Sequence, residues 1–292
     1  DWIERNPPYR SIHWNSGIEL ALRAVSMAVV MAFCGERLSE AQKGAVIQSL
    51  YQHGVWLARY PSRFSSANNH RIAEGAGLYL LGMILPQSEE VARWKAEGRT
   101  ILEEEITRQI HPDGIGAEQS PTYTAFSLEF MLLGLYLARH EQRPFSPVFA
   151  EQLLKAGQAL RAFVDKGGHH PRIGDDDEGR VLFTRFGEDG YVLSMLAMLS
   201  AAVEDPSPAP PVAQQDLRTL LFGPAPVTQA PMPLRQTFPH GGYSVIREEI
   251  GGRECLLVLD HGPLGYLSIA AHGHADACAV WLHLDGRPVL AD

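Results

Sequence analysis

The chain has 292 residues, 45% of them hydrophobic and 20% charged, an ordinary balance for a globular protein of one or two domains. A net charge of -9 argues against nucleic acid and anionic membrane surfaces as partners, and admits an anionic sugar polymer only through a locally basic or metal-assisted cleft. Cys34, Cys255 and Cys278 are far apart and odd in number, so no disulfide framework is implied.

No apolar run reaches the roughly 18 residues of a membrane span. The nearest, Val25 to Cys34, follows Arg23 and reads as part of an amphipathic helix. Asp1 opens the chain, and Val289-Leu290-Ala291-Asp292 closes it within an apparent strand, the pattern of a fragment cut at both ends. The lack of a visible targeting segment therefore says nothing about location.

Helical signals run to about residue 203. Ser16 and Glu19 form a capping-box pattern, followed by apolar Leu22, Val25, Val29 and Phe33 and a stop at Gly35. Ser39 and Gln42 open a second helix, to about Arg59, in the same way. Further helices are predicted over 71–85, 88–110, 121–140, 146–166 and 189–203, seven in all. Segments such as Leu78-Tyr79-Leu80-Leu81 and Phe130-Met131-Leu132-Leu133 are apolar on more than one face, as in helix pairs wound into a ring or solenoid, or in a plain bundle.

Nine of the twenty prolines fall within 204–239, which marks a linker with at most one helical turn, near Leu217–Phe222. Strands follow at 242–247, 253–260, 276–284 and 288–291, with Asp285-Gly286 as a tight hairpin turn. The expected division is a helical domain over 1–203, a proline-rich linker over 204–237 and the start of an antiparallel β domain over 238–292.

Four stretches carry residues suited to chemistry. Asn68-Asn69-His70 precedes a helix, with Glu74 one turn in; such residues cap helices, and a helix start also receives carboxylates. A glycine-rich loop from Asp113 leads through Glu118-Gln119-Ser120 into a helix at Pro121, with Tyr123 in its first turn at the rim, where a core tyrosine has little reason to be. Arg172-Ile173-Gly174-Asp175-Asp176-Asp177-Glu178-Gly179 is an acidic loop, readable alone as a solvated turn or a calcium-like site. In His272-Gly273-His274-Ala275-Asp276, Gly273 lets two imidazoles one residue apart take different tasks, one toward a metal and one toward a substrate, unless both are solvated.

Together with Phe238-Pro239-His240-Gly241-Gly242-Tyr243 and Asp260-His261-Gly262-Pro263-Leu264-Gly265, these motifs in this order resemble the heparinase II/III-like polysaccharide lyases, the heparinase and oligo-alginate lyase type. The resemblance covers most of the chain. It implies an α+β multidomain fold, an incomplete (α/α) toroid followed by the start of an antiparallel β-sandwich. It also implies β-elimination on a uronic-acid-containing polysaccharide or oligosaccharide.

That chemistry needs the uronate carboxylate neutralised, the C5 proton taken by a base and the leaving oxygen protonated by an acid. Carried over by motif, Asn69 and His70 neutralise, Tyr123 is the acid (or acid and base together), and His272 is the base or the partner of Tyr123. Glu74, Glu118 and Asp175 are expected to bind substrate. The family's structural zinc maps onto His274 and Asp292, with a third ligand beyond the chain's end. A periplasmic or secreted location is expected on the same ground.

Three rivals compete. An (α/α)-toroid glycoside hydrolase would use two carboxylates such as Asp113 and Asp175, leaving the Asn-His pair and the tyrosine unexplained. A zinc hydrolase of the metallo-β-lactamase type needs a histidine where Ala277 stands. A non-catalytic glycan-binding relative would be expected to have lost Asn69, Tyr123 or His272.

Overall fold

The structure, a computed structural model, describes residues 1–177, 179–182, 190–212, 214–226 and 232–291. The chain divides into two compact units, one of residues 1–105 with 133–144 and the other of residues 106–132 with 145–292.

The first unit holds α1 (Trp2–Arg5), α2 (Gly17–Cys34), α3 (Glu40–Arg59), α4 (Asn69–Ile84) and most of α5 (Glu89–Gln109). Its core is Trp14, Leu20, Ala24, Leu50, Leu57, Leu78, Leu81, Leu85, Val91, Trp94 and Ile101. The capping box of α3 forms as expected: the Gln42 N–H donates to Ser39, and the Gln42 side chain accepts from the Ser39 N–H.

The capping box expected at Ser16 does not form. Ser16 occupies the N-cap with an extended backbone but makes no side-chain bond, and Glu19 instead acts electrostatically on Arg23, one turn on. Gly35 also departs from expectation. It keeps right-handed helical geometry, and the chain tightens into a 3-10 turn over Gly35–Arg37.

By length and composition α2 is apolar enough to cross a membrane, which the charges at Glu19 and Arg23 obscured in the sequence. Here it contributes Leu20, Ala21, Ala24 and Val25 to the unit's core, and Arg23 donates to the His13 carbonyl at 2.9 Å.

The second unit takes in the N-terminal part of α6 (Pro121–His140), then α7 (Pro147–Ala162), α8 (Tyr191–Val203), α9 (Leu217–Phe222) and five strands. The strands β1 (Arg235–Phe238), β2 (Tyr243–Ile250), β3 (Arg253–Asp260), β4 (Val280–Leu284) and β5 (Arg287–Leu290) pair in sequence order, all antiparallel. In β2 the sheet alternates buried and half-buried residues from Tyr243 to Arg247, as a strand with one face on a core does. Tyr243, Val245, Leu256, Val258 and Trp281 from that face join Ile115, Ala159, Ala162, Phe163 and Ile173.

Strand β1 starts inside the expected linker, and β4 starts four residues later than predicted. The left-handed Cys278, φ 63°, and the Ala279 N–H donating to the Asp276 carbonyl make a turn there. The turn at Asp285-Gly286 is as expected, both residues having positive φ.

A buried carboxylate organises the helical side of this unit. Glu129, fully buried, accepts from the Val181 and Leu182 backbone N–H groups, the Tyr191 hydroxyl and Arg218 Nε at 2.8, 3.0, 2.9 and 2.6 Å. One buried charge so fully satisfied ties α6, α8 and the single turn of α9 together.

Candidate active site

The glycine-rich loop, the start of α6, the acidic loop and the His272–His274 segment meet within the second unit. Ser120 is the joint: its hydroxyl accepts the Tyr123 N–H at 3.2 Å, capping α6, and donates to the Asp175 carbonyl at 2.8 Å. The Asp175 N–H then donates to the His272 carbonyl at 3.0 Å. Gly174 sits at φ 63°, where a Cβ would lie 2.5 Å from that same carbonyl oxygen, so only glycine lets the loops approach this closely. Gly273 is equally constrained, since a Cβ there would overlap the Leu264 carbonyl. Gln119 and His272, neither of them glycine, also hold positive φ of 58° and 62°, the kind of strained backbone that surrounding contacts must enforce.

The side chains form a compact group. Tyr123 and His272 stack with ring centroids 3.6 Å apart and planes 19° off parallel. The Tyr123 hydroxyl donates to Asp177 Oδ2 at 2.9 Å. Asp175 receives both histidines, His272 Nδ1 at 3.1 Å and His274 Nε2 at 2.7 Å. Burial raises the Tyr123 pKa, and the Asp177 hydrogen bond with the charges of Asp177, Asp175 and Glu118 raises it further. For Asp175 burial pushes upward, but the hydrogen bonds from His272 and His274 outweigh it, and its pKa is lowered.

Tyr123, His272, His274, Asp175 and the buried Glu118 thus gather in one neighbourhood. Asn69, His70 and Glu74 lie in the first unit. Asn69 is buried at the start of α4, where the Asn68 side chain caps the His70 N–H. Glu74 is fully buried and bound by Ser62, through N–H and hydroxyl at 2.9 and 2.6 Å, and by Arg71 at 3.4 Å. Burial raises its pKa against these partners. Its carboxylate clamps the 60s segment onto α4.

Asp177 and Ser120 went unrecognised in the sequence. Alternation was the available signal for Asp177: in an extended loop, positions 175 and 177 share a side that 176 does not.

Of the zinc set implied by the resemblance, only His274 is among the described residues. His274 turns its Nε2 to Asp175, and Asp292 lies outside the described residues. A different group, Asp175, Asp177 and His272, brings possible ligand atoms within 4.8 Å of one another, but the Tyr123 hydroxyl and His272 Nδ1 already hold those carboxylates.

A helix-rich chain ending in an antiparallel sheet, with a tyrosine–histidine pair on carboxylates, defines the class of helical proteins with a β domain. The family models give the class its name. Residues 1–179 match the model described as heparinase II/III N-terminus, and residues 230–292 the heparinase II/III-like C-terminal model. The chain belongs to the heparinase II/III-like family.

A heparin-sulfate lyase of Pedobacter heparinus is 27% identical over 86 residues, 30% of this chain and 13% of that protein. The crystal structure of heparinase III superposes with a TM-score of 0.71 at 19% identity, covering 100% of this chain and 45% of that one. A heparan sulfate lyase from Pedobacter heparinus gives 0.61 at 19% identity, with 100% and 43% coverage. The chain thus spans less than half the length of these solved relatives. The fold class is the expected one, a helical part of the (α/α)-toroid type followed by an antiparallel sheet of five strands.

Proposed function

We propose that the complete protein is a polysaccharide lyase that cleaves a uronic-acid-containing polymer by β-elimination. The observation that carries the reading is the 3.6 Å stack of Tyr123 on His272, with a carboxylate bound to each. A tyrosine whose pKa is raised holds its proton at neutral pH, as a group that must protonate a departing glycosidic oxygen has to. With its Nδ1–H donating to Asp175, His272 has its lone pair on Nε2, the atom that would take the C5 proton. Asp175 is then a positioning residue, and the resemblance assigns Asn69 and His70 to the uronate carboxylate. The names of the relatives, a heparin-sulfate lyase and heparinase III, favour a glycosaminoglycan over alginate. We infer a periplasmic or secreted location from the family resemblance.

The test is to incubate the complete protein with heparan sulfate, alginate and an unsulfated glucuronan, following the ultraviolet absorbance of a new double bond. Rising absorbance with at least one polymer is expected. Chain shortening without it would overturn the elimination reading in favour of hydrolysis.

A further inference from the structure

Beside the Tyr123 group the second unit holds a cavity of about 460 Å³ that the reaction outlined above does not use. It borders Thr122, the neighbour of Tyr123, and Asp176, which stands between the two aspartates of the site. The loop therefore sends Asp175 and Asp177 to the tyrosine–histidine pair and Asp176 to the cavity. Among the described residues, its charged and imidazole lining is His169, His170, Arg172, Arg180 and Asp176.

Arg180 is held in place, its guanidinium 4.4 Å from the centre of the Tyr191 ring. His169 lies 3.4 Å from Asp165, and burial lowers the His170 pKa despite the Pro171 carbonyl and Asp176. Two guanidiniums in a recess of this size suit a sugar residue bearing an anionic group, which arginine recognises with paired N–H donors. The first turn of α8 also borders the cavity, adding a dipole of the same sign.

We propose that this cavity is an anion-accepting subsite, which takes a sulfate or carboxylate of the sugar residue next to the one that undergoes elimination. The assignment rests on the lyase reading for the identity of the ligand, but not for the fact of binding. Arg172, exposed on the rim, and Arg180, fixed on Tyr191, supply the contacts.

The experiment reads binding without turnover. In the complete protein carrying Tyr123→Phe, a heparan sulfate tetrasaccharide and its desulfated counterpart are titrated by calorimetry, with and without Arg172→Gln. Arg172→Lys serves as the conservative control. Loss of one charge-assisted contact should weaken binding about tenfold, and lysine should restore part of it. Weakening of the sulfated ligand alone assigns the pocket to sulfate, and equal weakening of both assigns it to the uronate carboxylate.

Unchanged affinity for both ligands, with Arg180→Lys equally silent, overturns the subsite. If no polymer gives an unsaturated product and Arg172→Gln still weakens binding, the lyase reading fails and the subsite stands. Elimination with unchanged affinity has the opposite meaning.

Discussion

On the lyase reading, Tyr123 loses little by giving up its hydroxyl in the folded state and a great deal by giving it up in the reaction. Its oxygen bonds an exposed carboxylate at Asp177, and the ring keeps its stack on His272 without it. Tyr123→Phe should therefore change stability by less than about 1 kcal/mol. The same variant should lower kcat by about 10²–10⁴-fold, the span of a lost general acid. A kcat within about threefold of the parent, in a variant with an unchanged melt, would remove Tyr123 from the acid role. This residue and His272 were singled out by motifs shared with the family, and the structure stacks their rings 3.6 Å apart. Asp177 was not, since a run of four acidic residues looks the same whether it is solvated or bound to a phenol. Glu74 looked exposed to substrate in sequence, yet burial and Ser62 make it an internal clamp.

At the scale of elements, helix spans were readable to within a few residues because their periodicity and stops are local. What tertiary contact decides was hidden: β1 among prolines, the turn that delays β4, and Glu129 gathering three helices. Two predictions belong here. Gly174→Ala forces an alanine to φ 63° and presses a methyl group on the His272 carbonyl, so it should cost about 1–3 kcal/mol. It should also lower kcat, because that carbonyl sets the backbone of His272. An unaltered melt and kcat would mean that the two loops yield freely. In the first unit, burial with the Arg23 charge beside it lowers the pKa of His53 to about 4, although the Ser49 carbonyl opposes this. A histidine depressed in the folded state binds its proton first in the unfolded chain. Stability is thus level above about pH 6.5 and falls as the pH drops toward 4, by about 2 kcal/mol at pH 5. Urea melts at pH 7 and pH 5 check this, and in His53→Gln the difference should shrink by that amount; an unchanged difference would acquit His53.

At the scale of the whole chain, its order of helices then strands and its motif sequence pointed to the family, while the two compact units cut across sequence order because Ile115 of the glycine-rich loop and the end of α7 pack with the later strands. That packing bears on the hydrolase alternative. Asp113, one of the two carboxylates such an enzyme would need, accepts the His240 and Gly241 backbone N–H groups at 2.7 and 3.0 Å, across more than a hundred residues of chain. It also takes the Ile115 N–H at 3.4 Å, so its oxygens pin the corner between β1 and β2 to the glycine-rich loop. Asp113→Asn keeps one accepting oxygen and gives up the charge. On the lyase reading it should cost about 1 kcal/mol of stability and leave kcat within about threefold, with unsaturated product still forming. On the hydrolase reading it removes a catalytic carboxylate, and kcat should fall about a hundredfold or more at any temperature where the fold is intact. Product absorbance and kcat for this variant, measured well below its melting temperature, separate the two, and a large loss of kcat without a change in fold would reinstate Asp113 as a chemical group.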